Sequence, residues 1–465
     1  MPARPSCPPK PAGVESPESG PGLPFTDSER EGLLERLGQI EDPRKPKGRR
    51  HLLAGILAGI LVGLLCGAKT LVEIEETLQD LGPEQRARLG LTHHRAPSRV
   101  TMGRILTLMD PKVLAQVLCD WGVDATAALT HAKILTQRFL RTKVRHLAVD
   151  GKTVRGAKPG GAGGTRGSTK KRHKKTTKTL QRSKNQAKQG AKTHTANPTT
   201  VQDSQNTQVE DVDAPDRAPH ILAVMDIMAK VVLAQIGVGI KTNEIGDFQP
   251  LMNMVPDITG ALISIDALGA QDKHATYLHG RGAGLLARVK ANRPSLLTAI
   301  KALPFGDVTP VLDQTEPGRH GRTTRRVVRV IAETTHLPFP HAAQAVQIIT
   351  YTRDTDARGH ARWYLREIAY AICTLDDTLV SSLELAQIIR AHWGIEVQHW
   401  LRDVVMREDQ CHVRTGHAPV NLAALRTTVL NILALAGITK IAKTIRRNSR
   451  RPTRAFTLLT STNVL

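Results

Sequence analysis

The 465-residue chain has few aromatic residues and few cysteines. Phe, Trp and Tyr make up 3% of it, although hydrophobic residues together reach 40%, enough for a globular protein with polar inserts. Its five cysteines are scattered and form no Cys-x-x-Cys pair, which excludes a disulfide framework and a zinc ribbon. This cysteine usage indicates a reducing compartment, and we expect a cytoplasmic protein.

Long apolar runs are also missing. The only candidate, Leu52 to Cys66, has fifteen residues, whereas about twenty are needed to cross a bilayer. We therefore predict a buried helix there and no transmembrane segment. Residues 1–26 are rich in Pro, Gly and Ser and have no apolar signal core, so we expect a disordered lead-in.

Acidic residues are too few to balance the basic ones. The chain has 42 Asp and Glu against 65 Lys and Arg, a formal net charge of +23. Such an excess favours first a nucleic-acid partner and second an anionic membrane surface. Residues 157–217 are first basic and then acidic, and we expect a disordered loop inserted there. Its basic half would contact phosphates without sequence specificity, and a solvated linker is the alternative.

The pattern of apolar residues divides the chain into two folded parts. Residues 27–125 show helical spacing interrupted by prolines, which predicts an all-helical N-terminal domain. Within it, residues 98–110 could contact DNA or could form a solvated helix face. Residues 140–445 alternate between predicted strands and helices, which indicates an α/β domain. We predict a β-rich insertion at 305–372 and assign 446–465 to a basic C-terminal tail.

Three acidic residues stand where the fold could bring them together. An apolar run ends at Asp150 and a second ends at Asp266, so each predicted strand delivers a carboxylate to its end. Neighbouring strands of one sheet would bring both to one edge. Asp150 precedes Gly151, and this pair is also a common hairpin turn, which is the structural alternative. The third acid, Glu396, lies in a predicted helix later in the chain.

Three converging carboxylates suit a site that binds two divalent cations at a phosphodiester bond. The cations activate a water molecule or a 3′-hydroxyl group and stabilise the leaving oxygen. Mg²⁺ is the expected cofactor because it accepts carboxylate, water and phosphate oxygens, and Mn²⁺ is a possible substitute. Residues 151–153 lack the upstream glycine of a nucleotide-binding loop, and the His and Cys residues between 392 and 417 fit no zinc finger.

A set of short motifs runs through the chain from about residue 28 to 440. They are DPRKPKGRRH at 42–51, VDGKTVRG at 149–156, KTNEI at 241–245, ISIDALGAQ at 263–271, VKANR at 289–293, HWGIE at 392–396 and MREDQCHVRTGHAPVNLAALR at 406–426. Each motif alone is weak. As an ordered set they resemble the DDE transposases of bacterial insertion sequences, in the branch that includes the H-repeat-associated proteins.

The resemblance implies a ribonuclease-H-like catalytic core in which Asp150, Asp266 and Glu396 form the catalytic, metal-binding triad. It implies binding of the terminal repeats of the insertion sequence, metal-dependent cleavage and strand transfer. The implied partners are double-stranded DNA, from element ends and target, and further copies of the chain in a homodimer or larger assembly. No membrane partner is expected. The resemblance assigns these residues to the DNA path: Lys152, Arg155, Lys241, Lys290, Asn292, His392, Trp393 and Arg414.

Some alternatives fit the same sequence. Trp393 could stack on an extruded base or pack against the fold as an ordinary buried Trp. The wider superfamily often has Tyr, Arg, Glu and Lys around its glutamate, where this chain has Ile389, His392, Glu396 and Asp403. A catalytically inactive DNA-binding descendant of such an enzyme is therefore the second hypothesis. A general basic RNA-binding protein that works through residues 157–217 is the third.

Overall fold

A computed structural model gives the fold of the chain. It describes residues 32–131 apart from 48 and 92, 144–158, 218–239, 244–317, 323–355 apart from 333 and 335, and 361–460. The predicted lead-in at 1–26, residues 159–217 of the predicted insertion, Lys241 and residues 461–465 lie outside the described residues.

A nine-stranded sheet forms the centre of the described structure, in the order β3-β2-β1-β4-β5-β9-β8-β7-β6. β1 runs antiparallel to β2 and parallel to β4, and β5 runs parallel to β4. β6 to β9 form an antiparallel meander that joins the sheet where β9 pairs with β5. The strands are β1 (His146–Thr153), β2 (His220–Asp226), β3 (Val231–Val238), β4 (Leu262–Ile265), β5 (Gly284–Val289), β6 (Leu312–Pro317), β7 (Thr323–Ile331), β8 (Gln344–Thr355) and β9 (Ala361–Cys373).

Helices precede the sheet, connect its strands and follow it, so the predicted mixed α/β class is confirmed. The first six are α1 (Leu33–Gly38), α2 (Leu53–Leu65), α3 (Leu71–Gln79), α4 (Pro83–Arg88), α5 (Arg99–Leu108) and α6 (Pro111–His131). The later ones are α7 (Glu244–Asn253), α8 (Asp272–Gly280), α9 (Pro294–Lys301), α10 (Ser382–Ala391), α11 (Trp393–Trp400), α12 (Ala418–Leu435), α13 (Ile441–Arg450) and α14 (Pro452–Thr460).

Helix α12 joins the N-terminal helices to the sheet. It packs against α2, α5 and α6 on one side and against β3 on the other. The amide of Asn421 donates hydrogen bonds to the carbonyls of Leu106 and Met109, at 2.9 and 2.8 Å. Asn431 bonds to both the N–H and the carbonyl of Val232, at 2.9 and 2.8 Å. The N-terminal helices and one face of the sheet consequently share a hydrophobic core.

The apolar helices are buried in the protein. Twelve of the thirteen residues of α2 are buried, so the buried helix predicted at Leu52 to Cys66 is confirmed. Helix α12 is long and apolar enough to span a membrane by length and composition, but 89% of it is buried inside the fold. Its apolar surface therefore already has partners within the protein.

The basic segment at the C-terminus is helical over its described length. Residues 446–460, assigned above to a tail, belong to α13 and α14, which pack against α2. Ile445, Phe456 and Leu459 are buried. The assignment as a tail relied on the cations and overlooked these apolar residues, which fold the segment back onto the protein.

Three glycines spaced four residues apart allow α2 to contact its neighbours closely. A Cβ atom at Gly55 would lie 2.5 Å from the Leu89 carbonyl oxygen. A Cβ at Gly59 or Gly63 would lie 2.9 Å from side-chain atoms of Leu78 or Ile74, respectively. The Gly55 contact is the least tolerant because a backbone carbonyl cannot rotate away as a side chain can.

We expect Gly55→Ala to destabilise the protein by about 2 kcal/mol, the usual scale for overpacking. Gly38→Ala is the matched control: this glycine ends α1, and its added Cβ would meet no atom within 4 Å. The control should be neutral or stabilise by up to about 1 kcal/mol. Urea unfolding of the two variants measures the difference. Equal stability would contradict the close contact at Leu89.

Candidate active site

Two of the three predicted acids lie at adjacent positions of neighbouring strands, Asp150 within β1 and Asp266 directly after β4. β1 and β4 are parallel, with Val149 opposite Ile265, so Asp150 and Asp266 occupy the next position in each chain. Asp266 accepts a hydrogen bond from the Leu268 backbone N–H at 2.9 Å, which caps the turn after β4. This bond orients its carboxylate. The hairpin alternative for Asp150 is wrong, because β1 continues through Thr153.

Helix α11 brings the third acid to this part of the sheet. Ile395 is completely buried and packs with Ala148 and Met225 on one face of the sheet. Ala148 is two residues before Asp150 and therefore on the same face of β1. The neighbour of Ile395, Glu396, is thereby held near Asp150.

Asp150, Asp266 and Glu396 line one pocket of about 300 Å³. Arg288 in β5 and Lys290, directly after β5, line the same pocket. The remaining lining residues include Ser264, Glu367, Ile389, His392 and Trp393. Acids separated by 246 positions of the sequence thus meet in a cleft whose other charged residues are mostly basic.

The pocket disfavours negative charge at Asp150. Burial raises the pKa of this carboxyl to about 7, although a hydrogen bond from the Gly151 backbone opposes the rise. The nearby carboxylates of Asp266, Glu244 and Glu396 raise the pKa further. Asp150 is therefore partly protonated at neutral pH, and a bound cation would favour its ionised form.

His399 lies beside Asp150, with Nδ1 3.4 Å from Oδ2. Burial lowers the pKa of His399 to about 3, and the positive charges of Arg402 and Lys152 contribute to the same direction. The imidazole is neutral at neutral pH. The contact is consequently not an ion pair, and His399 does not offset the charge of Asp150.

The donor set suits a hard divalent cation. Carboxylate oxygens are the ligands that Mg²⁺ takes in proteins. The pKa of Asp150 is raised first by burial and then by the nearby carboxylates, and a bound cation would offset both effects. Within the described ranges, no three His, Cys, Asp or Glu side chains are already arranged as a metal site. The three acids have the right donor atoms for a divalent metal and line the same pocket. Their side chains are not yet arranged as metal ligands.

A buried hydrogen-bond chain fastens the Glu396 helix to the sheet. The Ser264 hydroxyl lies 2.7 Å from Nε2 of His146 and 2.7 Å from Nδ1 of His392. Burial lowers the pKa of His146 to about 3 and that of His392 to about 4. Both rings are neutral, so Ser264 can donate to one ring and accept from the other. The chain links β1, β4 and the start of α11.

Lys152 does not face the pocket, contrary to its assignment to the DNA path. Its ammonium is 2.5 Å from Asp403 and 3.8 Å from Glu408, and its side chain is 6% exposed. Glu408 also accepts two hydrogen bonds from Arg402, at 2.9 and 3.0 Å. Burial raises the pKa of Glu408, but Arg402, Arg426 and Lys152 outweigh burial and hold it below its usual range. The network ties β1 to the turn after α11.

Two predicted DNA contacts are open at the pocket. Lys290 is exposed and lines it. Trp393 also lines the pocket and is 59% exposed, so the packing alternative for this side chain is wrong. His392 lines it as well, with Nδ1 engaged by Ser264.

The remaining predicted contacts lie elsewhere. The Asn292 amide donates to the Ala267 carbonyl at 2.7 Å, which holds the turn that follows Asp266. Arg155 and Arg414 are exposed near the end of β1, and Arg414 bonds to the Gly156 carbonyl at 3.4 Å. None of these three lines the pocket. Asn292 is better described as a residue that positions the Asp266 turn.

Sequence reasoning missed a chain of polar residues on the opposite face of β1. His220 lies 2.5 Å from Glu244 through Nε2 and 2.9 Å from the Thr153 hydroxyl through Nδ1. A Cβ atom at Gly151 would collide with the side-chain ends of His220 and Glu244, so a larger residue there would force this pair to move. Glu244 belongs to the KTNEI motif, which signalled the resemblance without indicating a role for this carboxylate.

Comparison with known sequences matches residues 141–432 to the family described as transposase DDE domain. The chain belongs to this transposase family. Residues 34–122 match the family described as DDE_Tnp_1-associated. The resemblance to bacterial insertion-sequence DDE transposases is thereby confirmed, and all three acids of this transposase-family chain lie within its longer matched segment.

Two bacterial relatives illustrate the similarity. The H repeat-associated protein YhhI of Escherichia coli K12 is 28% identical over 247 residues, which cover 50% of this chain and 62% of YhhI. YncI of Escherichia coli O157:H7 is 25% identical over 419 residues, 87% of each chain. The names of both describe candidate transposases. This transposase-family chain thus matches less than two thirds of YhhI but most of YncI.

The piggyBac transposase, solved as a synaptic complex with hairpin DNA, is a distant structural neighbour. It has 10% sequence identity and a TM-score of 0.36, with 91% of this chain and 80% of the other covered. A likeness at this level is too weak to define the fold.

In this transposase-family protein, Ser264→Ala should destabilise the fold by about 1–3 kcal/mol, because it removes a buried hydroxyl that bonds to the rings of His146 and His392. Thr428→Val is the control, since the Thr428 hydroxyl bonds only to the Ala424 carbonyl within its own helix, at 3.0 Å. Thermal and urea unfolding measure both. Equal effects would argue against a special contribution from the His146–Ser264–His392 chain.

Asp150→Asn should stabilise the metal-free protein at pH 8 by about 1–3 kcal/mol and change little near pH 4. The folded pKa of about 7 exceeds the ordinary Asp value of 3.8. The stabilising contribution of this carboxyl is thus complete below about pH 4 and is lost as pH rises through 7. Unfolding in chelator at several pH values tests this, with the exposed acid variant Asp377→Asn as the control. A pH-independent difference would contradict the raised pKa.

Proposed function

We propose that the protein is a DNA transposase that binds the terminal repeats of its insertion sequence and catalyses metal-dependent cleavage and strand transfer. One observation carries this proposal: Asp150, Asp266 and Glu396 line a common pocket in a chain of the transposase DDE family. Each acid comes from a different element, as expected when a fold assembles a site from distant parts of the sequence.

We also propose a ribonuclease-H-like catalytic core. Its support is the half-sheet β3-β2-β1-β4-β5, in which β1 to β3 are antiparallel and β4 and β5 run parallel to β1. Asp150 lies in β1 and Asp266 follows β4, near the edge where ligands commonly bind in open α/β sheets. Residues 27–125 would form the associated helical domain, and 305–372 the β-rich insertion.

The three carboxylates would hold Mg²⁺, or Mn²⁺ in its place. When bound, these cations would activate the attacking hydroxyl and stabilise charge on the scissile phosphate and leaving oxygen. Lys290 and Arg288 lie in the same pocket and would neutralise the phosphate backbone of the substrate. The exposed ring of Trp393 would stack on a base. Ser264 and His392 would position the helix that carries Glu396.

The proposed partners are double-stranded DNA and further copies of the protein. Strand transfer joins two element ends to one target, so at least a dimer is expected on DNA. We propose that the protein works in the bacterial cytoplasm, associated with the nucleoid while bound. The excess of 65 basic over 42 acidic residues supports a polyanionic partner.

Cleavage of labelled element-end DNA in Mg²⁺ or Mn²⁺ tests the proposal. The wild type should cleave, whereas Asp150→Ala, Asp266→Ala and Glu396→Ala should each lose roughly a thousandfold or more of the activity, because metal chemistry supplies most of the rate. All three variants should retain DNA binding.

Glu367→Gln is the control for these variants, because Glu367 lines the same pocket but lies outside the proposed triad. It should keep cleavage within a few-fold of wild type. Binding of end DNA without cleavage by any of the proteins, wild type included, would instead favour a catalytically inactive DNA-binding descendant.

A further inference from the structure

Helix α13 carries four cations on one face. Lys443, Arg446, Arg447 and Arg450 follow the spacing i, i+3, i+4 and i+7, which aligns side chains along a helix. All four residues are exposed. We call them the basic stripe.

The other face of α13 is fixed to the protein. Ile445 and Asn448 are buried, at 5% and 3% exposure. The Asn448 amide donates to the Leu65 carbonyl at the end of α2, at 3.1 Å. Ile445 packs closely against the turn after α2, where a Cβ atom added at Gly67 would lie 2.7 Å from the Ile445 side chain. The helix therefore presents the basic stripe outward in a defined orientation.

No acid offsets this charge within the helix or next to it. Residues 440–454 contain no Asp or Glu. Lys440, Arg451 and Arg454 are also exposed and add to the same basic region. Among the described residues, no carboxylate forms an ion pair with any member of the basic stripe. Like charges at these spacings repel one another, so an anionic partner would relieve the repulsion.

We propose that the basic stripe binds the phosphate backbone of double-stranded DNA outside the catalytic pocket. This inference rests on the proposed function, because it takes DNA as the substrate. The stripe from Lys443 to Arg450 rises about 10 Å along the helix. Over that length, one DNA strand presents roughly three phosphates. None of the four cations lines the pocket, so the stripe is a second contact with the DNA.

The surroundings of α13 favour duplex DNA over other polyanions. An interfacial membrane helix needs a free apolar face, but the apolar face of α13 is covered by the protein. Proteins that bind single strands stack bases on aromatic side chains, and α13 contains none. A row of Lys and Arg without aromatic residues matches contacts to a continuous phosphate backbone.

The test compares the salt dependence of duplex binding by two variants of the full chain. One replaces all four stripe residues by Gln (Lys443→Gln, Arg446→Gln, Arg447→Gln and Arg450→Gln). The matched control removes four exposed lysines that are scattered over other elements: Lys112, Lys230, Lys273 and Lys301, each replaced by Gln. Affinity for a random-sequence duplex is measured from about 50 to 200 mM KCl by fluorescence anisotropy.

The slope of log affinity against log salt should fall in magnitude by about three in the stripe variant, since each lost phosphate contact removes roughly 0.9. The control should change the slope by less than one. An unchanged slope in the stripe variant, or an equal loss in both variants, would overturn the proposal. Because every replaced side chain is exposed, thermal unfolding should match wild type. If the fourfold variant unfolds, Arg446→Gln and Arg450→Gln alone should each reduce the slope by about 0.9.

A cleavage assay distinguishes failure of this inference from failure of the proposed function. At low salt and saturating element-end DNA, the stripe variant should cleave in Mn²⁺ at a rate within a few-fold of wild type. If the wild type cleaves and the stripe variant keeps the wild-type salt slope, only the proposed role of the basic stripe is rejected. A reduced slope in a protein that never cleaves would support the basic stripe and reject the proposed enzymatic function.

Discussion

The parallel pairing of β1 with β4 is the constraint on which the candidate site depends. It sets Val149 opposite Ile265 and so places Asp150 and Asp266 at adjacent positions of neighbouring strands. A shift of either strand by one residue would turn its side chains to the other face. Residues 146–149 of β1 and 262–265 of β4 are all buried, and the His146–Ser264 hydrogen bond links the two strands in this register. Packing in the core therefore determines the position of the charges.

Bringing three carboxylates together opposes folding, and the neighbouring polar contacts offset that cost. Ser264 connects the strand before Asp266 to the helix of Glu396 through His392. In a second contact, Lys152 joins β1 to Asp403 and Glu408, which follow α11. These contacts hold the backbones that carry the acids, so burial, together with repulsion between the carboxylates, is expressed as a raised pKa of Asp150 instead of a displaced strand.

Apolar patterning was sufficient to predict the strand that carries Asp150 and the one that precedes Asp266, because both contain short continuous apolar runs. The predicted end of the first strand at Asp150 was wrong, since β1 continues to Thr153. The same patterning could not predict which Lys and Arg side chains are enclosed by ion pairs and which are exposed at the pocket. Lys152 and Lys290 look alike in sequence, yet one is enclosed by Asp403 and Glu408 and the other is exposed at the pocket. Their difference arises from residues more than a hundred positions away. The helical C-terminus was missed because its cations obscured a sparse apolar face.

Acidic and basic residues have different roles in the proposed function: the acids would serve the chemistry and the cations would bind DNA. The carboxylates in the pocket would repel phosphates, so the proposed affinity for DNA would have to come from basic residues, within the pocket and on other surfaces, of a chain whose net charge is +23. Exposed cations lose much of their attraction as salt rises, because the DNA then gains less from releasing counterions. Asp150 is half-buried, so its charge is screened less and responds chiefly to pH and to divalent cations. Salt should therefore govern occupancy of the protein by DNA, whereas metal and pH should govern what happens at the pocket once DNA is bound.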